Sequence, residues 1–246
     1  IRTHQQHFKN SLFIAGLLAF IIVLIFVVEQ LLGVKFDFLG VFPRKVHYLQ
    51  GIITHVFVHA DSNHLLNNVL SFFILTLSLF YFYGKIADKV LLFGWVFTGL
   101  LLWTIGRDSL HIGASGLIYA QAFFLFWSGV IRKYAPLIAI ALIVVFFYGN
   151  MVWHVFPWQA FPNESWEGHL SGAIVGSLLA VLYRKQGPQR PVKEWHEEQE
   201  SEDEKNLAEY AESFELEGEE QKDNVEQSKE NEKKEGSNGF RSSELY

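Results

Sequence analysis

Long apolar stretches, each bounded by a few charged or turn-forming residues, follow one another along the first three quarters of the chain. Six can be delimited: Leu12–Val28, His64–Tyr83, Val90–Ile105, Ile112–Ile131, Tyr134–Val152 and Gly168–Tyr183. Their apolar residues fall on every face of a helix rather than along one stripe, the pattern of helices surrounded by lipid. Their lengths lie near the ~17 to 25 residues that cross a hydrocarbon core of ~30 Å. The pattern therefore predicts six transmembrane helices. No small-residue cleavage site follows the first stretch, which is read as a retained span rather than a signal peptide. In the long connection Gln30–Asn63, Leu49, Ile52, Ile53, Val56 and Phe57 recur at helical spacing and predict an interfacial helix on the outer membrane surface. The connection from Val152 to Glu167 holds Trp153, Phe156, Trp158, Phe161 and Trp166, a composition suited to the membrane–water interface, while Pro157 and Pro162 keep it from becoming helical.

Past Tyr183 the pattern ends. Pro188 and Pro191 break the chain, and the residues beyond them are dense in Glu, Gln, Lys, Ser and Asn, a composition too polar to form a packed core. The sequence thus predicts a membrane domain over 1–183 and an acidic, disordered tail over 184–246. One tail segment differs: Leu207, Tyr210, Ala211 and Phe214 would line one face of a helix and offer a docking stripe for a partner of unknown identity.

Charge sharpens this division. Residues 1–183 carry 7 acidic and 10 basic side chains, whereas 184–246 carry 19 acidic and 10 basic, so the net charge of −6 averages two unlike pieces. The acidic balance argues against nucleic acid as a partner. With no cysteine, the chain has no disulfide, no thiol nucleophile and no Cys-ligated zinc. Met151 is the single methionine, which suggests that the sequence is a fragment or a processed product. With the N-terminus inside, the inner segments collect Arg2, Lys9, Lys85, Lys89, Arg132, Lys133, Arg184 and Lys185, against Lys35, Arg44, Lys45 and Arg107 outside. Short cytoplasmic loops accumulate Lys and Arg, so both termini are expected in the cytoplasm, and the second, fourth and sixth helices begin at the outer face.

Strongly polar side chains within spans are costly and mark functional sites. Three clusters qualify: His59, His64 and Asn68; Ser115 within Gly113-Ala-Ser-Gly116; and His169, followed by Gly172 and Gly176. All lie near the outer ends of the helices that enter from outside, so they can meet in one plane. Gly168, Gly172, Gly176 and Ala180 recur every fourth residue and would let the sixth helix approach the fourth closely enough for His169 to reach Ser115. A serine hydroxyl becomes nucleophilic when a neighbouring imidazole takes its proton. The resulting oxyanion needs preorganised donors, for which the Ser115 backbone N–H and the His64 and Asn68 side chains are placed. Gly113 and Gly116 would let the backbone beside the nucleophile approach a substrate, and Tyr119, one turn along, can pack against the imidazole. The sequence offers no obvious acid to orient His169, so a dyad is expected rather than a triad. His55, His59 and His64 raise a metal site as an alternative, disfavoured by the lack of a His-Glu-x-x-His motif or a carboxylate ligand.

In their order and spacing, His59-x4-His64-x3-Asn68, Gly113-x-Ser115-Gly116 with Tyr119, and His169-x2-Gly172-x3-Gly176 resemble the rhomboid family of intramembrane serine proteases, over roughly Val46 to Tyr183. The resemblance implies an all-α, six-helix bundle that cuts transmembrane protein substrates near their outer ends. It makes Ser115 the nucleophile, His169 the base, and His64, Asn68 and the Ser115 amide the oxyanion hole, with His59, Gly113, Gly116, Tyr119, Gly172 and Gly176 in support. No metal or cofactor is implied. The compact six-span form implies a bacterial inner membrane, and lateral entry of substrate between the second and fifth helices, with the 152–167 loop as a cap. Two departures stand out: Tyr48-Leu49-Gln50 occupies the place of a frequent Trp-Arg pair, and Gly168 precedes the histidine where Ala is common. The alternatives are a rhomboid-like protein that binds transmembrane helices without cutting, and a small transporter or channel. The first would normally lack the Ser or His, and the second would carry polar residues through the full membrane depth.

Overall fold

A computed structural model describes residues 2–158, 164–191, 204–213, 222 and 228–229. The chain divides into two units, Ile1–Pro191 and Val192–Tyr246. Among its described residues the first unit contains seven α-helices: α1 (Arg2–Leu32), α2 (Gly51–Thr54), α3 (Ser62–Tyr83), α4 (Ala87–Ile105), α5 (Ser115–Arg132), α6 (Ala135–Tyr148) and α7 (Trp166–Leu182). In the second unit residues 204–213 are helical, with Leu207 and Tyr210 exposed; Phe214, the last member of the expected stripe, lies outside the described residues. Among the described residues there is no β-strand, only a single bridge between Val41 and His111.

The helix ends are set by local chemistry. The Asp61 carboxylate accepts the N–H groups of Asn63 and His64 and starts α3. Ser165 Oγ accepts the Gly168 N–H and caps α7. Pro136 opens α6, where a missing N–H costs nothing, and Lys133 ends α5 in the left-handed conformation. At its far end α7 is closed by Arg132 from α5. This buried guanidinium donates to Ser128 Oγ (2.7 Å) and to the carbonyls of Tyr183 (2.8 Å), Gln186 and Pro188 (3.0 Å), and lies over the Tyr83 ring. It satisfies carbonyls that the helix end leaves orphaned.

Three helical segments, His4–Leu32, Ser62–Tyr83 and Ala87–Ile105, are long and apolar enough to cross a membrane, and α6 and α7 are apolar but shorter. Large apolar side chains face outward on them, among them Phe13, Phe20, Phe147 and Leu178. α5 occupies the middle, packed against α3, α4, α6 and α7, with Leu117, Ile118, Phe124 and Leu125 buried. Its contact with α7 is backbone to backbone. A Cβ on Gly172 would lie 2.0 Å from the Gly116 carbonyl oxygen, and one on Gly176 would lie 2.2 Å from that of Ala120. Only glycine permits this approach.

Two elements differ from expectation. The segment expected as one interfacial helix forms three short turns, Val46–Tyr48, Gly51–Thr54 and His55–Phe57. It is anchored to α4, where Trp95 Nε1 donates to the Ile53 carbonyl (2.8 Å) and Gly99 lies against that of Ile52. The fifth apolar stretch is α-helical only to Tyr148 and continues as a 3-10 turn over Gly149–Val155, because Gly149 and Asn150 are poor helix formers.

Candidate active site

Ser115 is the first residue of α5, and the loop before it is held on both sides. His111 and Val41 exchange backbone hydrogen bonds (2.8 and 2.9 Å), and the Gly113 N–H donates to the His55 carbonyl (2.9 Å). Gly113 has φ +105°, and a Cβ there would meet the His64 imidazole at 2.8 Å. The loop therefore passes so close to His64 that no side chain fits between them.

His169 enters from the first turns of α7, buried. Its ring stacks on Tyr119 of α5, with centroids 4.3 Å apart and planes 8° from parallel. Its Nδ1 lies 3.1 Å from the His154 carbonyl oxygen. A carbonyl only accepts, so Nδ1 carries the hydrogen, and the neutral ring keeps its lone pair on Nε2.

From α3, the Asn68 amide donates to the His64 carbonyl (2.8 Å), while its Oδ1 has no hydrogen-bond partner among the described residues. His64, Asn68, Ser115 and His169 line one cavity of about 510 Å³. Tyr119 lies beneath it and lines an apolar cavity of about 250 Å³ between α5 and α6, together with Phe123, Tyr148 and Val152. Gly116, Gly172 and Gly176 sit at the α5–α7 crossing rather than in either cavity. His59 is fully buried behind His64, its ring edge-on at 5.0 Å, and its nitrogens make no hydrogen bond among the described residues.

Burial pushes the imidazoles of His55 and His59 down to about 4, so both are neutral at physiological pH. His55 Nδ1 is 2.8 Å from the Gly51 carbonyl, which therefore accepts from it. Among the described residues no cluster of three or more His, Asp or Glu is placed to hold a metal ion.

Several neighbours of the site escaped sequence reasoning. Asn67 and Glu164 line the main cavity, and Glu164 accepts a hydrogen bond from His154 (2.9 Å). Glu167, buried in the first turn of α7, is paired with Arg107, and His111 is buried against Ser165. A charged residue two positions before a buried histidine was a usable signal at Glu167, but its place at the edge of an apolar stretch made it look like a loop residue. A hydroxyl, an imidazole with its lone pair on Nε2, and amide and imidazole donors around one cavity are the components of acyl-transfer chemistry.

A family model described as the Rhomboid domain matches residues 46–186. Uncharacterised proteins of Mycobacterium bovis and Mycobacterium tuberculosis are each 34% identical over 171 residues, covering 65% of this chain and 69% of the relative. An uncharacterised protein of Mycobacterium leprae is 33% identical over 172 residues, covering 65% of this chain and 66% of the relative.

Proposed function

Since the chain belongs to the rhomboid family, and is thus an integral membrane protein, we propose that it is a serine endopeptidase that cuts transmembrane substrate helices near the outer membrane face. The observation that carries this reading is the shared cavity of Ser115 and His169, with the His169 ring oriented through Nδ1 by the His154 carbonyl. In this reading α1, α3, α4, α5, α6 and α7 are the six spans, both termini are cytoplasmic, and a bacterial plasma membrane is the setting.

His169 Nε2 takes the proton of Ser115 Oγ as the oxygen attacks the scissile carbonyl. The oxyanion that forms is held by the Ser115 N–H and the His64 and Asn68 side chains, each donor contributing on the order of 3 kcal/mol in a water-poor site. The imidazolium then protonates the departing amine, which leaves an acyl-enzyme on Ser115. Water, deprotonated by the same Nε2, releases the second product and restores the hydroxyl. The Tyr119 ring and the His154 carbonyl keep the imidazole in place through both steps. The chemistry needs no metal or cofactor.

The test is proteolysis in proteoliposomes carrying a panel of single-span substrates, with products sequenced by mass spectrometry. The expected result is a cut in the outer half of a span by the wild type and none by Ser115→Ala. Equal cutting by both proteins, or none by either across the panel, contradicts the reading.

A further inference from the structure

We propose that Arg107 and Glu167 are positioning residues that set the reach from His169 to Ser115, an inference that rests on the dyad proposed above. Ser115 follows the loop 106–114, and His169 sits in the first turns of α7. These are separate pieces of chain, and the site works only if their relative depth is fixed.

Arg107 joins them. Its Nη1 contacts both carboxylate oxygens of Glu167 (3.1 and 3.3 Å), and its backbone N–H donates to Glu167 Oε1 (3.3 Å). Its Nη2 donates to the Glu164 carbonyl (2.8 Å), in the segment that leads into α7. Glu167 is 2% exposed while the Arg107 side chain reaches solvent, so the buried carboxylate, which is disfavoured without a cation and donors, holds the guanidinium and the Arg107 N–H to this geometry. The neighbouring Arg44–Asp108 pair is exposed and lacks that constraint.

A second tie runs alongside. His111 Nε2 lies 3.2 Å from the Arg107 carbonyl, which can only accept, so Nε2 donates and Nδ1 holds the lone pair. Ser165 Oγ, 2.7 Å from that Nδ1, therefore donates to it while accepting the Gly168 N–H (3.1 Å). Burial lowers the pKa of His111, which favours the neutral ring that this chain of hydrogen bonds uses. One end of this link is the N-cap of α7, one turn from His169. Ion pair and hydrogen-bond chain together buckle the nucleophile's loop to the base's helix. Misplacing reacting groups by about 1 Å can cost ~10²-fold in rate.

The experiment compares the wild-type chain, Glu167→Gln, Arg107→Ala, Arg107→Lys and, as a control, Asp108→Asn. Each is reconstituted and normalised to its folded fraction. The rate of labelling by a fluorophosphonate probe, and kcat and KM for a cleaved transmembrane substrate, are measured. Glu167→Gln and Arg107→Ala are expected to lower kcat and the labelling rate by ~10 to 100-fold with KM within about twofold, while Arg107→Lys recovers part of the loss and Asp108→Asn matches the wild type. Labelling of folded Glu167→Gln at the wild-type rate, or losses that follow only the folded fraction, would overturn this inference and leave the dyad standing. An unlabelled wild type would instead overturn the dyad.

Discussion

In the proposed mechanism Asn68 serves structure and chemistry with a single side chain. One amide hydrogen holds the His64 carbonyl a turn back on α3, and the side chain also borders the cavity shared by Ser115 and His169. Replacing Asn68 with Ala is expected to lower kcat by ~10² to 10³-fold with a small change in KM, measured on a reconstituted substrate. A change confined to KM would place Asn68 in substrate binding instead. His55 and His59 predict a second effect. Their pKa values fall from 6.5 to about 4 on burial, so between these limits the unfolded chain binds more protons than the folded one. Stability from this source is complete above pH ~6.5 and is lost as the pH drops toward 4, by up to ~1.4 kcal/mol per pH unit for each histidine. Thermal unfolding in detergent between pH 7.5 and 4.5 checks it, and a midpoint unchanged over that range contradicts it. At this scale the sequence marked residues that border one cavity where a polar residue interrupted an apolar run, as at Ser115, His169 and Asn68. It was silent on Glu167, Arg107 and His111, because a charged or polar residue at the end of a span looks the same whether it faces water or a buried partner.

Among the helices, the α5–α7 crossing is the contact on which the site depends. The glycine spacing on α7 was readable from the sequence; that the glycines press against the Gly116 and Ala120 carbonyls is a tertiary fact that spacing alone does not carry. Gly172→Ala and Gly176→Ala should each destabilise the fold by ~1 to 3 kcal/mol or more and displace His169 from Ser115, since a methyl group would overlap backbone. Gly16→Ala in α1, where a Cβ meets nothing within 4 Å, should be neutral or slightly stabilising. Unfolding midpoints in one detergent compare the three, and a Gly172→Ala protein as stable as Gly16→Ala would refute the close crossing. Element boundaries were less legible. Hydropathy did not show that α1 continues as a helix back to Arg2, because residues 4–10 are exposed and mostly polar, nor that the apolar turns after Val46 fold against α4, a tertiary contact that hydropathy does not encode.

For the whole molecule, the proposed layout takes its six spans from the hydropathy pattern and its cytoplasmic termini from the charge distribution, and it is directly testable, since the chain has no cysteine to give a background. Single cysteines at Lys85 and Lys133 should react with an impermeant maleimide only from the cytoplasmic side, and one at Lys45 only from the outside; the reverse pattern would invert the topology. Ile1–Pro191 forms a unit of its own and contains every residue of the proposed site, so removal of 192–246 should leave catalytic turnover within about twofold. The central claim is that Ser115 is a nucleophile activated by His169. The measurement that addresses it most directly is fluorophosphonate labelling of detergent-solubilised protein, with the modified residue identified by mass spectrometry. One adduct, on Ser115, is expected in the wild type and none in Ser115→Ala or His169→Ala. A folded wild type that takes up no label, or an adduct at another serine, would contradict the claim.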